Sequence, residues 1–149
     1  MANFNARIIG VDALMKKFIE APSNVTEQAK VIIDEAVINI QTGAKRDVPV
    51  KSSKLKNSIT HRSFANGKAS VSAGNKSVRY APYVEFGTGN SGNSFYIPFY
   101  ANINSDELKG YAATFRRTKL VNAPHRPFMF NNFNKELGIM LDKLKGITI

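Results

Sequence analysis

The sequence predicts an α+β fold, with a small antiparallel sheet packed by a long central helix and a C-terminal helix, and a long loop or arm insertion. Three observations predict it. An apolar stripe at helical spacing runs through Val25 to Arg46. An Asn66-Gly67 pair separates two stretches of strand character. A second helical stripe (Phe133, Leu137, Met140, Leu141 and Leu144) lies near the C-terminus. At 149 residues without an internal repeat, one domain over residues 1–149 is the default, with residues 90–123 as an extended loop or arm inside it.

Taken in order, Val11 to Ile19 reads as a short helix. Asp12 caps it, Leu14, Met15, Phe18 and Ile19 share one side, and Pro22 ends it. The clearest helix follows at about Val25 to Arg46. Asn24 with Glu27 three residues later suits its start. Ala29, Ile32, Ile33, Ala36, Val37, Ile40 and Ala44 form a single stripe, which packs on a sheet in preference to another copy of itself. The helix must finish before Pro49. Val50 to Lys56 reads as a polar, basic link. Its Ser52-Ser53-Lys54 lacks the glycines that let a backbone wrap a phosphate.

Ser58 to Ala65 and Lys68 to Asn75 read as a hairpin across a type I′ turn at Asn66-Gly67. A two-residue turn pairs Ala65 with Lys68. It sets Thr60, Arg62, Phe64, Ala69, Val71 and Ala73 on the expected core face, with Ile59, His61, Ser63, Ser70 and Ser72 opposite. Beyond Gly89, Phe95 to Ala101 and Tyr111 to Val121 have strand character, and Asn104 to Lys109 reads as a turn or short helix. A connection of this length suits an exposed arm that orders on a neighbouring subunit. In the last helix Asn131 or Asn132 is the expected cap, and Gly146 the stop.

The segment from Tyr80 to Gly89 organises the rest. Two tyrosines, a phenylalanine and a valine crowd around a single carboxylate before a glycine break. Pro82 suits the first turn of a helix, where its missing N–H is an orphan donor anyway. Gly87 then permits backbone angles that other residues resist. Tyr80 and Phe86 are the expected core anchors. Glu85 and Thr88 are expected to meet water, a backbone donor or a partner. The residues alone favour a structural plug between sheet and loop.

The run Tyr80-Ala81-Pro82-Tyr83-Val84-Glu85-Phe86-Gly87-Thr88-Gly89, followed downstream by Arg126-Pro127-Phe128-Met129, resembles a family of small tailed-bacteriophage proteins. These are called minor tail, tail-completion or neck (head–tail joining) proteins. Asp47-Val48-Pro49-Val50 with Leu55-Lys56-Asn57-Ser58-Ile59 looks like a third feature of that family, in the same order. The resemblance implies a structural virion protein at the neck or upper tail, made in the host cytoplasm and acting by assembly. Its implied partners are further copies of itself, arranged as a ring, and other phage neck or tail proteins. The implied structural or interface motif is Tyr80, Pro82, Tyr83, Glu85, Phe86, Gly87, Thr88, Arg126, Pro127 and Phe128, with Arg126 pairing a carboxylate such as Glu85.

Composition bounds the alternatives. A hydrophobic share of 43% with 21% charged residues argues against global disorder. Cysteine is absent, which removes disulfides and thiolate metal sites. No run of about 18 apolar residues suggests a membrane span, and Met1 to Arg7 lacks the apolar stretch of a signal peptide. His61 and His125 are not at metal-ligand spacing. No nucleophile elbow, phosphate loop or dinucleotide fingerprint is present, so no enzyme, cofactor or metal is read from the sequence. The balance of 21 Lys and Arg against 11 Asp and Glu, +10 net, attracts anions. The alternative reading is therefore a basic nucleic-acid-binding protein without catalysis. It makes non-specific contact with phage DNA, and Arg116 and Arg117 among aromatics are its DNA-facing candidates.

Overall fold

The computed structural model describes residues 4–7, 23–50, 53–87 and 125–147. The elements are β1 (Phe4–Arg7), α1 (Ser23–Asp47), α2 (Ser53–Asn57), β2 (Thr60–Ala65), β3 (Lys68–Ala73), α3 (Ala81–Phe86) and α4 (Met129–Lys145). The expected helix over Val11 to Ile19 and the segments between Phe95 and Val121 lie outside the described residues, as do Thr88, Arg116 and Arg117.

The architecture is α+β. The three strands are antiparallel in the order β1-β3-β2. The long helix α1 packs on β2 and β3 and also on α4. Its stripe is the expected one: Ala29, Ile33, Ala36, Val37, Ile40 and Ala44 are buried, and Ile32 packs against the cluster at its edge. Each buried Ile or Val there contributes about 1.5–3 kcal/mol over an exposed one. Leu55 of α2 and Phe86, Phe128, Met129 and Phe133 close the same core.

Three details differ from the sequence reading. Strand β1 pairs Phe4 with Ala73 and Arg7 with Ser70, although nothing in those few residues signals a strand. The link before the hairpin contains α2, a helical turn that buries Leu55 between two exposed lysines. The hairpin register is also split. Asn66 (φ 52°) and Gly67 (φ 76°) make the expected turn, and Ala65 pairs with Lys68. Beyond it Arg62 pairs with Ser70, His61 with Val71 and Thr60 with Ser72.

Two residues, Ser63 and Phe64, therefore oppose Ala69 alone, which is a β-bulge. It turns Ile59 and His61 inward and Thr60 and Arg62 outward, the reverse of the bulge-free arrangement. Phe64, Ala69, Val71 and Ala73 keep their expected side. The bulge leaves the Phe64 N–H without a ladder partner, and it donates to the Asp34 carboxylate on α1. Gln41 anchors the strand's other end. Its Nε2 donates to the Ile59 carbonyl (2.9 Å), and its Oε1 accepts from His61 Nδ1 (2.6 Å). His61 is thus half-buried, where the bulge-free register had set it on the face away from the core.

Candidate functional site: the Glu85 clasp

The segment following β3 is folded tightly before it reaches Glu85. Asn75 and Val78 bridge each other through their backbones, and the Asn75 side chain accepts from the Ser77 and Val78 N–H groups (2.9 and 3.0 Å). Helix α3 then opens at Ala81 with Pro82 in its first turn. The Tyr80 carbonyl accepts from the Tyr83 and Val84 N–H groups. Four residues of α3 (Ala81, Pro82, Glu85 and Phe86) face inward. Gly87 ends it at φ 73° and ψ 175°, a region essentially reserved for glycine.

Phe86 is the core anchor that was expected. It is 1% exposed, with its ring 5.7 Å from that of Phe130 in a tilted arrangement. Tyr80 is not an anchor. It remains 40% exposed, because the helical turn from Ala81 directs its inner face through Pro82 and Phe86. Tyr83 and Val84 pack at the core's edge.

Glu85 is buried and is held by backbone. One oxygen, Oε2, accepts from the N–H groups of Phe128 (2.9 Å) and Met129 (3.0 Å), and Oε1 accepts from Phe130 (2.8 Å). These are donors at the start of α4, where the first turn has no intrahelical acceptors. Helix α4 has no side-chain cap of its own and no acid in its first turn. Glu85 supplies both from 43 residues upstream, and its negative charge also suits the helix dipole. Beside it the Arg126 N–H donates to the Val84 carbonyl at 2.8 Å. The two motifs, aromatic turn and Arg-Pro-Phe, are therefore one structural unit.

This geometry corrects two expectations. Asn131 and Asn132 do not cap α4, which begins earlier, at Met129. The Glu85 carboxylate meets backbone N–H groups rather than Arg126, whose side chain is exposed while Glu85 is buried. Burial pushes Glu85 up to about 7, with the three N–H bonds pulling the other way.

Asn132, expected as a cap, instead braces the same corner. Its Nδ2 donates to the Phe128 carbonyl (2.7 Å) and to Asp47 Oδ2 (2.9 Å). Hydrogen bonds from Arg46, then Asn132, hold the Asp47 carboxyl below its ordinary range. Asn132 fits because α1 presents Gly43 there. A Cβ at that position would stand 1.9 Å from Asn132 Oδ1.

The arrangement positions backbone. The one buried carboxylate among the described residues is engaged by three main-chain donors. Among the described residues no group of three His, Cys, Asp or Glu could hold a metal ion, and no helix is long and apolar enough to cross a membrane.

No curated protein and no solved structure matches the chain. A family described as "Bacteriophage HK97-gp10, putative tail-component" matches residues 12–87, about half of the chain, ending at the glycine that closes α3. With its long helix, hairpin and aromatic turn all inside that match, the chain belongs to the HK97-gp10-like family of bacteriophage tail components.

Proposed function

We propose that this protein is a structural subunit of the tail-completion or neck region, at the head–tail junction or upper tail, acting by assembly and without catalysis. The observation that carries this reading is the family match over the long helix, hairpin and aromatic turn. The clasp supports it. Pro82, Glu85, Phe86, Gly87 and Phe128 are committed to holding the fold, leaving Tyr80 and Arg126 exposed as contacts for neighbours. Further contacts are offered by apolar residues on the outer faces of α1 and α4. Val31 is 63%, Ile38 46% and Ile139 40% exposed, beside the Asn39–Glu136 and Lys143–Glu35 bonds that link the two helices. Copies of the chain and adjoining neck or tail proteins are the proposed occupants. The residues of 90–123 serve as the assembly arm.

A nonsense mutation in this gene of the phage tests the reading. A tail-completion or neck subunit leaves filled heads and separate tails that do not join. Normal infectious particles, or the loss of tails altogether, would overturn the proposed station.

A further inference from the structure

The stretch between Asp47 and Glu85 contains no acidic residue and seven Lys or Arg, seven of the net ten positive charges in the chain. The fold gathers several of them. Lys54 and Lys56 stand exposed on α2, either side of buried Leu55. The next residue but one after Lys56, Ser58, accepts the Gly74 N–H on its Oγ at 3.0 Å. That bond ties α2 to the turn carrying exposed Lys76 and Arg79. The Arg79 Nε–H donates to the Lys76 carbonyl at 3.1 Å, which holds the guanidinium against that turn. From the same corner the outer face of the sheet begins with the Thr60–Ser72 hydroxyl pair (3.1 Å) and continues to exposed Arg62.

The acid that bonds the hairpin and the two that bound the stretch are engaged elsewhere. Asp34 accepts the Phe64 N–H, Asp47 is bonded by Arg46 and Asn132, and Glu85 is buried beneath α4. No described ion pair involves Lys54, Lys56, Arg62, Lys76 or Arg79. Ser53, Asn57, Asn75 and Ser77, each adjacent in sequence to one of these lysines, are exposed as well.

Cations interspersed with hydroxyl and amide donors are the groups that contact nucleic-acid phosphates. A protein-binding surface has an apolar centre instead. The large exposed apolar residues of α1 and α4 lie on other elements, and among the described residues of this stretch Val50 and Tyr80, at its two ends, are the large apolar ones exposed. We propose that this face, with Lys54, Lys56, Lys76 and Arg79 at its centre, binds the phosphate backbone of double-stranded DNA without reading its sequence. The inference stands apart from the assembly role, since it concerns the isolated chain.

The test is binding of the full chain to a fluorescent mixed-sequence duplex across a range of salt. Three variants accompany it, each checked for an unchanged melt. One carries Lys54→Gln, Lys56→Gln, Lys76→Gln and Arg79→Gln. A control carries Lys30→Gln, Lys45→Gln, Lys135→Gln and Lys145→Gln, the same change in net charge elsewhere. The third replaces the three patch lysines by arginine. The patch variant should lose roughly tenfold or more in affinity, with the salt slope shallower by about 0.9 for each contact removed. The control should lose much less, and the arginine variant should bind like the wild type. Equal losses in patch variant and control would reduce the effect to bulk charge and overturn the proposal. So would binding to polyglutamate but not to the duplex, which would mark an acidic protein surface as the partner.

Discussion

Glu85 shows what a single residue does in this fold. Three buried N–H groups at the start of α4 depend on its two oxygens. An unsatisfied buried donor costs about 1–3 kcal/mol, partly recovered by relaxation. Glu85→Ala should therefore lower unfolding stability by about 3 kcal/mol in urea titrations and loosen α4 first, read as faster amide exchange at Phe128, Met129 and Phe130. The carboxyl also links stability to pH. Its native value is raised to about 7 from an ordinary 4.5, so the native state holds the proton more tightly than the unfolded chain does. That contribution is fully present below pH 4.5 and is lost as pH rises through about 7. Measured against the non-titrating Glu85→Gln variant, the wild type should lose up to about 3 kcal/mol over this window. A difference that stays flat, or rises with pH, would show that the N–H bonds outweigh the cost of burial. The sequence exposed Glu85 as one carboxylate among aromatics. It did not reveal the partner, because the donors are main-chain groups 43 residues away and main-chain groups leave no trace in residue type.

Among the elements, the helices were the most legible. The α1 stripe recurs so regularly that burial follows its periodicity nearly residue for residue, and the second stripe marks α4 in the same way. The crossing of the two helices was not legible. Gly43 reads as a late, inexpensive glycine in a helix, yet it is where Asn132 packs. Alanine there gains about 1 kcal/mol of helix propensity. The added Cβ meets a side chain fixed by two hydrogen bonds, so displacing it outweighs that gain. Gly43→Ala should cost about 1–2 kcal/mol net, and Asn132→Ala in the same chain should recover part of the loss. Simple additivity of the two substitutions in urea melts would contradict this packing. The hairpin teaches a related lesson. Its turn type follows from Asn66-Gly67, but the bulge at Ser63 and Phe64 depends on Asp34 of α1 accepting a freed N–H. A local pattern cannot announce a tertiary acceptor. Strand β1 was missed for the same kind of reason, since it is defined by its pairing with β3.

At the scale of the molecule, the fold divides its surface by chemistry. The elements between Asp47 and Glu85 carry cations and no acid, most of the large exposed apolar residues among the described ones lie on α1 and α4, and the aromatic turn is joined to α4 through Glu85. That division suits a subunit that meets protein neighbours on one face and a polyanion on another. The family match establishes a phage tail component, and the clasp joins the aromatic turn to the Arg-Pro-Phe motif within this chain. The most direct measurement is immunogold labelling of intact particles and separated tails with antibody to this chain. A structural subunit at the proposed station carries label at the head–tail junction or at the upper end of the tail. Particles and tails that carry none, with the protein found only in the infected-cell extract, would contradict the structural role.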